Sequence, residues 1–370
     1  MKKILLASVA LTAFAGAAAA EVTLSGDAKL GWNDDHEGGV YAVANVDITA
    51  SQTLDNGITA GFVYGMELEQ LENGALQAGD FDNNLKLTIG NDMFTLSGGQ
   101  AENAAFGTWS GVADMAQDGF SEHDAEEVLR LDLNFGQVST AVSGIINPIS
   151  QDLVQMSYGV AADLGAVSVV ASYQEAGPAA VGSNTATDAT AANVGYIDDD
   201  AEDYNADEIF AVSAAFAAGG ADFVVAYADN RTDNEDSTGM SVSYAMGDYT
   251  LGAHYVSESA NADDTFGVSV AYAAGALAAD GSWTSVNDVV EYSLGASYQV
   301  DDAIVVGVAL LDGDDATADD HGTAVYMTYD LGAGAALKAS YADAANAAGA
   351  AVDDVAGYRA GSTIELSFAF

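Results

Sequence analysis

The sequence predicts an all-β chain: a transmembrane, antiparallel, up-and-down β-barrel of about 16–20 strands, with one loop folded inward as a constriction. Three observations carry that expectation. Half the residues are hydrophobic, yet beyond residue 20 no apolar run approaches the roughly 20 residues that a membrane helix needs. Apolar residues fall instead at every second position, as on strands with one lipid-facing side. Short glycine-containing turns alternate with long acidic loops, the asymmetry of a closed membrane barrel. With only 2 Pro and as many as 40 Gly, the chain is also poor material for a helical bundle.

The elements follow in order. Met1–Ala20 reads as a secretory signal peptide, with Lys2 and Lys3 before an apolar run and Ala18, Ala19 and Ala20 at the cleavage site. Residues 21–370 then form one barrel domain. In the start EVTLSGDAKLGW, Val22, Leu24, Ala28, Leu30 and Trp32 share one face, and Thr23, Ser25, Asp27 and Lys29 the other. Leu54–Gly57 carries the Asn-Gly hairpin signal. The cycle of strand, long polar loop, strand and short turn repeats to the end, including weakly patterned strands at 138–145 and 276–285. The last stretch places Ile364, Leu366, Phe368 and the terminal Phe370 on one clean face.

Gln100–Glu127 breaks the alternation between two strand-like segments. It carries Glu102, Asp114, Asp118, Glu122, Asp124, Glu126 and Glu127 without one Lys or Arg. Loops of this length are uncommon and usually functional or disordered. The expectation is that it enters the lumen and narrows it.

Charge sets the classes of partner. There are 56 acidic residues against 8 Lys and Arg, a formal charge of −48. Nucleic acid and anionic lipid are therefore excluded as main partners, and cations are attracted. Cations are costly on a lipid face, about 2–4 kcal/mol at mid-membrane. Strand parity accordingly turns Lys29, Lys86, Arg130, Lys338 and Arg359 toward the lumen, on strands that neighbour one another around a closed wall. An acidic loop facing this basic sector sets a transverse field that favours polar solutes.

Catalysis finds no support: His36, His123, His254 and His321 are scattered, and no spacing assembles a nucleophile with a base. Asp312–Asp315 begins like a calcium loop, but Gly313 is misplaced and Thr323 stands where that loop ends in Glu. No cofactor is required; loose bridging by Ca²⁺ or Mg²⁺ among loop acids and lipopolysaccharide phosphates suits the composition. With no Cys, neither disulfides nor thiol chemistry are used.

The start Glu21–Lys29, the acidic loop after the fifth strand, and the ending Leu366–Phe370 resemble the general-diffusion porins of alphaproteobacteria, the Rhodobacter type. The likeness covers the mature chain in layout, and only the two ends in text. It implies a homotrimeric, water-filled barrel in the Gram-negative outer membrane, among its lipids and lipopolysaccharide, passing small hydrophilic solutes. It also implies that Phe370 belongs to the signal read by the barrel-assembly machinery. The family pattern is sixteen strands. A second reading, a secreted or surface-attached acidic β-rich adhesin or structural protein stabilised by divalent cations, requires a repeating text that the chain lacks.

Overall fold

The computed structural model describes residues 20–35, 39–72, 75–78, 85–113, 115–122, 127–147, 151–178, 204–259, 264–286, 289–313, 321–345, 354–355 and 357–370. The expected signal peptide lies outside them, apart from Ala20. Among the described residues, twenty strands close one antiparallel barrel.

The wall opens with Glu21–Asn33, Val40–Thr53 and Thr59–Glu72. Its fourth position is shared by Ala75–Ala78 and Leu85–Gly90, which pair with opposite ends of Thr59–Glu72. The polar stretch 71–83, which alternation alone leaves as a long loop, thus contains strand at 71–72 and 75–78. Phe94–Gly99 follows, and after the acidic loop come Val128–Asn134, Val138–Ile146, Leu153–Asp163 and Val167–Gln174. Next are Ile209–Ala218, Ala221–Asn230, Glu235–Met246, Tyr249–Glu258, Thr265–Ala274 and Leu277–Val286. Val289–Gln299, Ile304–Gly313, His321–Gly332, Ala335–Ala345 and Gly361–Ala369 complete the wall. Both weakly patterned segments are strands.

Closure joins the two ends of the chain. Lys29 pairs with Ser367 and Leu30 with Leu366. Gly26 and Phe370 exchange both backbone hydrogen bonds at 3.0 Å. A closed ladder leaves no backbone group unpaired in hydrocarbon, which is the condition for crossing it. The hairpin signal at Asn56-Gly57 is realised: Gly57 sits at φ +79°, where a side chain would be strained.

The alternation sorts the two faces as expected. Leu24 is 57% exposed, Leu294 55% and Ile364 55%. So broad an apolar exterior suits lipid, not water. Aromatic pairs bound it. Phe216 stacks on Phe223 at 5.3 Å, and Tyr249 lies 4.8 Å from Tyr272, both near the short turns. Toward the long loops, Tyr158 stacks on Tyr173 at 6.0 Å. There the tyrosine hydroxyls donate to loop-side carboxylates: Tyr158 to Glu175 at 3.3 Å, Tyr173 to Glu208 at 3.0 Å and Tyr292 to Asp312 at 2.8 Å. Each ring keeps its body in the apolar band and its polar tip at the aqueous rim.

Candidate functional site

The acidic loop turns inward and runs along the inner wall. It is not wholly irregular: Ala104–Thr108 forms one short helix packed on Val138–Ile146, Leu153–Asp163 and Val167–Gln174. The first N–H groups of a helix have no partner within it. Here the wall supplies two. The N–H of Ala104 donates to Ser143 Oγ at 2.8 Å, and that of Ala105 to Ser157 Oγ at 2.6 Å. Ser172 Oγ donates in turn to the Ala105 carbonyl at 3.0 Å. Asn103, at the cap position, spends its amide inside the loop on the carbonyls of Ser121 and Glu122, at 3.3 and 2.8 Å.

Glycine lets the loop lie this close. A Cβ on Gly159 would stand 2.1 Å from Thr108 Oγ1 and 2.7 Å from the Ala104 carbonyl oxygen. On the far side, a Cβ on Gly239 would stand 2.7 Å from Val112 Cβ.

Beyond the helix the loop becomes apolar, and so does the wall beneath it. Ala105, Val112, Met115 and Phe120 pack on Ile209, Ala211, Ala226, Ala228 and Val256. These wall residues take the inward parity that elsewhere is polar. The outer part of the loop is fixed by polar contacts. Ala116 N–H donates to Glu258 Oε1 at 3.0 Å, Gln117 N–H to Ser237 Oγ at 3.1 Å and Ser121 N–H to Gln174 Oε1 at 2.8 Å. Asn205 Nδ2 donates to the Gly119 carbonyl at 2.7 Å. The loop therefore lines the wall from the fifth strand round to Tyr249–Glu258.

Of the acids expected here, Asp114, Asp124 and Glu126 lie outside the described residues. Glu102, Glu122 and Glu127 are exposed. Asp118 accepts the Trp109 indole N–H at 2.8 Å, which ties the two sides of the loop together.

The five cations are not equivalent. Arg130 points inward but lies at the base of the loop. Its guanidinium meets Asp132 at 2.8 Å, the Glu102 carbonyl at 3.1 Å and the Glu102 carboxylate at 3.7 Å. Lys29 and Lys86 have inward parity and no hydrogen bond or ion pair among the described residues. Lys338 stands 4.6 Å above the Tyr358 ring. Arg359 is not on the last strand: it belongs to a two-residue ladder, Asp354–Val355 with Tyr358–Arg359. Gly361, the first residue of Gly361–Ala369, sits at φ +84°, so parity cannot be carried back from Phe370 to Arg359. Its guanidinium lies 4.5 Å over the Tyr41 ring.

Sequence reasoning missed the seats of the loop: Ser143, Ser157, Ser172, Gln155 and Gln174, all buried. The one signal available was their inward parity on consecutive strands. That is also the ordinary pattern of any wetted wall.

Residues 7–291 match the family model described as Gram-negative porin. No curated protein sequence matches the chain. A double mutant of the Rh. blastica porin is 18% identical, over 79% of this chain and 100% of that one, with a TM-score of 0.48. A porin structure refined at 1.8 Å is 15% identical over 95% of this chain and 100% of that one, with a TM-score of 0.41. The in-vitro-folded OmpT of Vibrio cholerae, in trimer form, is 14% identical over 95% and 100%, with a TM-score of 0.38. The assignment rests on the family model, which covers most of the chain. The chain belongs to the Gram-negative porin family: it is a passive porin of the outer membrane, not an enzyme.

Proposed function

We propose that the barrel is a cation-preferring, general-diffusion channel for small hydrophilic solutes and ions, of the alphaproteobacterial Rhodobacter type, working as a homotrimer. The observation that carries the proposal is the inward acidic loop in a chain with 56 acidic residues and 8 Lys and Arg. Glu102, Asp118, Glu122 and Glu127, with Asp114, Asp124 and Glu126 of the same loop, form the acidic side of the constriction. Lys29, Lys86, Lys338 and Arg359 form the basic side, and Arg130 props the base of the loop. Between the two sides, water and polar solutes are oriented and apolar ones are disfavoured.

The trimer contact falls on the low part of the wall, Leu85–Gly90, Phe94–Gly99 and Val128–Asn134. The outward Leu85, Leu87, Ile89, Leu96 and Leu129 are exposed and aliphatic, and copies packed there would shorten the lipid boundary of the lowest strands. Residues 1–20 direct export. Phe370, 67% exposed at the seam of the barrel, carries the assembly signal. The loop-side acids suit loose Ca²⁺ or Mg²⁺ bridges to lipopolysaccharide phosphates.

Planar-bilayer recording of the purified protein across a salt gradient tests the reading. Conductance steps in threes, with a cation-favouring reversal potential, are expected. Folded, detergent-extracted protein that conducts nothing would overturn it.

A further inference from the structure

A second segment enters the lumen, from the other side. Between Ala335–Ala345 and Gly361–Ala369, Tyr358 packs, alongside Ala309, Leu311 and Ala344, against Ala324 and Ala342. Ala324 and Ala342 are 1% and 2% exposed. They share the inward parity of Lys338 and Tyr326, opposite the exposed Val308, Val325 and Tyr341. Tyr358 stacks on Tyr326 at 4.7 Å and 15°, and Tyr326 has room to lie flat because Gly307 sits beneath it. Lys338 Nζ donates to the Gly357 carbonyl at 3.4 Å. Asn33 Nδ2, buried, donates to the Ala360 carbonyl at 2.7 Å. Tyr41, whose ring carries Arg359, donates its hydroxyl to Glu365 at 2.8 Å.

The acidic loop and this segment divide the circumference. The first lies on the strands from Phe94–Gly99 to Tyr249–Glu258. The second lies on those from Ile304–Gly313 across the seam to Val40–Thr53. Barrel diameter grows roughly linearly with strand number, so in a twenty-strand wall a loop held flat on one side leaves the opposite side open. The second segment occupies that opposite side. Lys338 and Arg359 lie over the rings of Tyr358 and Tyr41, and the carboxylate of Glu365, cross-strand partner of Lys338, accepts from the Tyr41 hydroxyl among them.

We propose that the segment bearing Tyr358 and Arg359 is a second constriction element, which narrows the pore from the wall facing the acidic loop and offers permeating solutes an aromatic edge. It acts as a size filter. This rests on the channel reading above.

The chain contains no Cys, so a single introduced thiol reports on its own position. In Arg359→Cys trimers, a cationic and an anionic methanethiosulfonate reagent should each lower the single-channel current stepwise, and should move the reversal potential in opposite directions. Tyr341→Cys, on the outer face, should respond to neither. Tyr326→Ala combined with Tyr358→Ala should raise conductance by releasing the segment. Arg359→Cys channels that conduct and ignore both reagents, with labelling verified by mass, would overturn the second constriction alone. A parent protein that never conducts would overturn the channel reading and this inference with it.

Discussion

The backbone N–H of Ala105 is held by the hydroxyl of Ser157 at 2.6 Å, across 52 positions of sequence. A helix that is normally capped by its own flanking residue is here capped by the barrel wall. Ser143 does the same for Ala104. Replacing both with Ala leaves two buried donors unsatisfied, at about 1–3 kcal/mol each. That loss falls on the loop and not on the ladder. Ser143→Ala/Ser157→Ala should therefore give noisier open-channel current and closure at lower voltage, while the barrel's resistance to heat in detergent stays near the parent's.

Gly159 is the complementary test, because it removes space where the serine variants remove bonds. A side chain there meets the Ala104 carbonyl at 2.7 Å, a backbone atom that cannot swing aside. Overpacking of this kind costs about 1–3 kcal/mol. Gly159→Val should push the helix off the wall into the lumen and reduce unitary conductance. Gly98→Ala is the control, since its Cβ would meet only Leu129 Cδ1, at 3.9 Å. Equal conductance in the two variants would mean that the helix does not border the conducting path.

Lys86 and Arg130 should separate in selectivity. Arg130 is already balanced by Asp132 and Glu102, so Arg130→Gln chiefly frees the Glu102 end of the loop. Lys86 has no such partner among the described residues. Reversal potentials should move further toward cations in Lys86→Gln than in Arg130→Gln, and current noise should rise more in Arg130→Gln.

Glu208, outside the spanning strands, sits between Arg231 at 3.0 Å and the Tyr173 hydroxyl at 3.0 Å. Its hydrogen bond from Arg231, then that from Tyr173, hold the carboxyl below its ordinary value of 4.5. A lowered carboxylate contributes stability that is complete above the unfolded value and is lost as pH falls through the folded one. The clip that ties Glu208 to Arg231 should thus persist below pH 4.5, where an ordinary glutamate is already mostly protonated. Acid titration followed by limited proteolysis of this rim should show cleavage beginning at higher pH in Arg231→Gln than in the parent.

Much of the wall was legible because a membrane barrel imposes period two on every strand. Lys86 between Leu85 and Leu87, or Leu366 between Glu365 and Ser367, has a side fixed by parity alone. The inward loop was legible as one of the long acidic interruptions between strands. What parity could not give was contact between distant segments. Ala211, Ala226 and Ala228 look like unremarkable strand alanines until the loop lies on them. Arg130 and Asp132 share a parity, and their pairing was there to be read. Arg359 was misplaced because one left-handed residue, Gly361, resets the alternation. The strand Ala75–Ala78 was lost in a polar stretch whose short apolar spacing falls below the reach of pattern alone.

The loop's bond from Ala116 to Glu258 spans 142 positions. Most of the contacts that seat it therefore belong to strands emerging later than the loop itself. During assembly the loop cannot be fully seated until the wall has been laid as far as Tyr249–Glu258. The channel is thus built wide and narrowed late: a barrel caught before that point is a leak, and one that has passed it is a sieve.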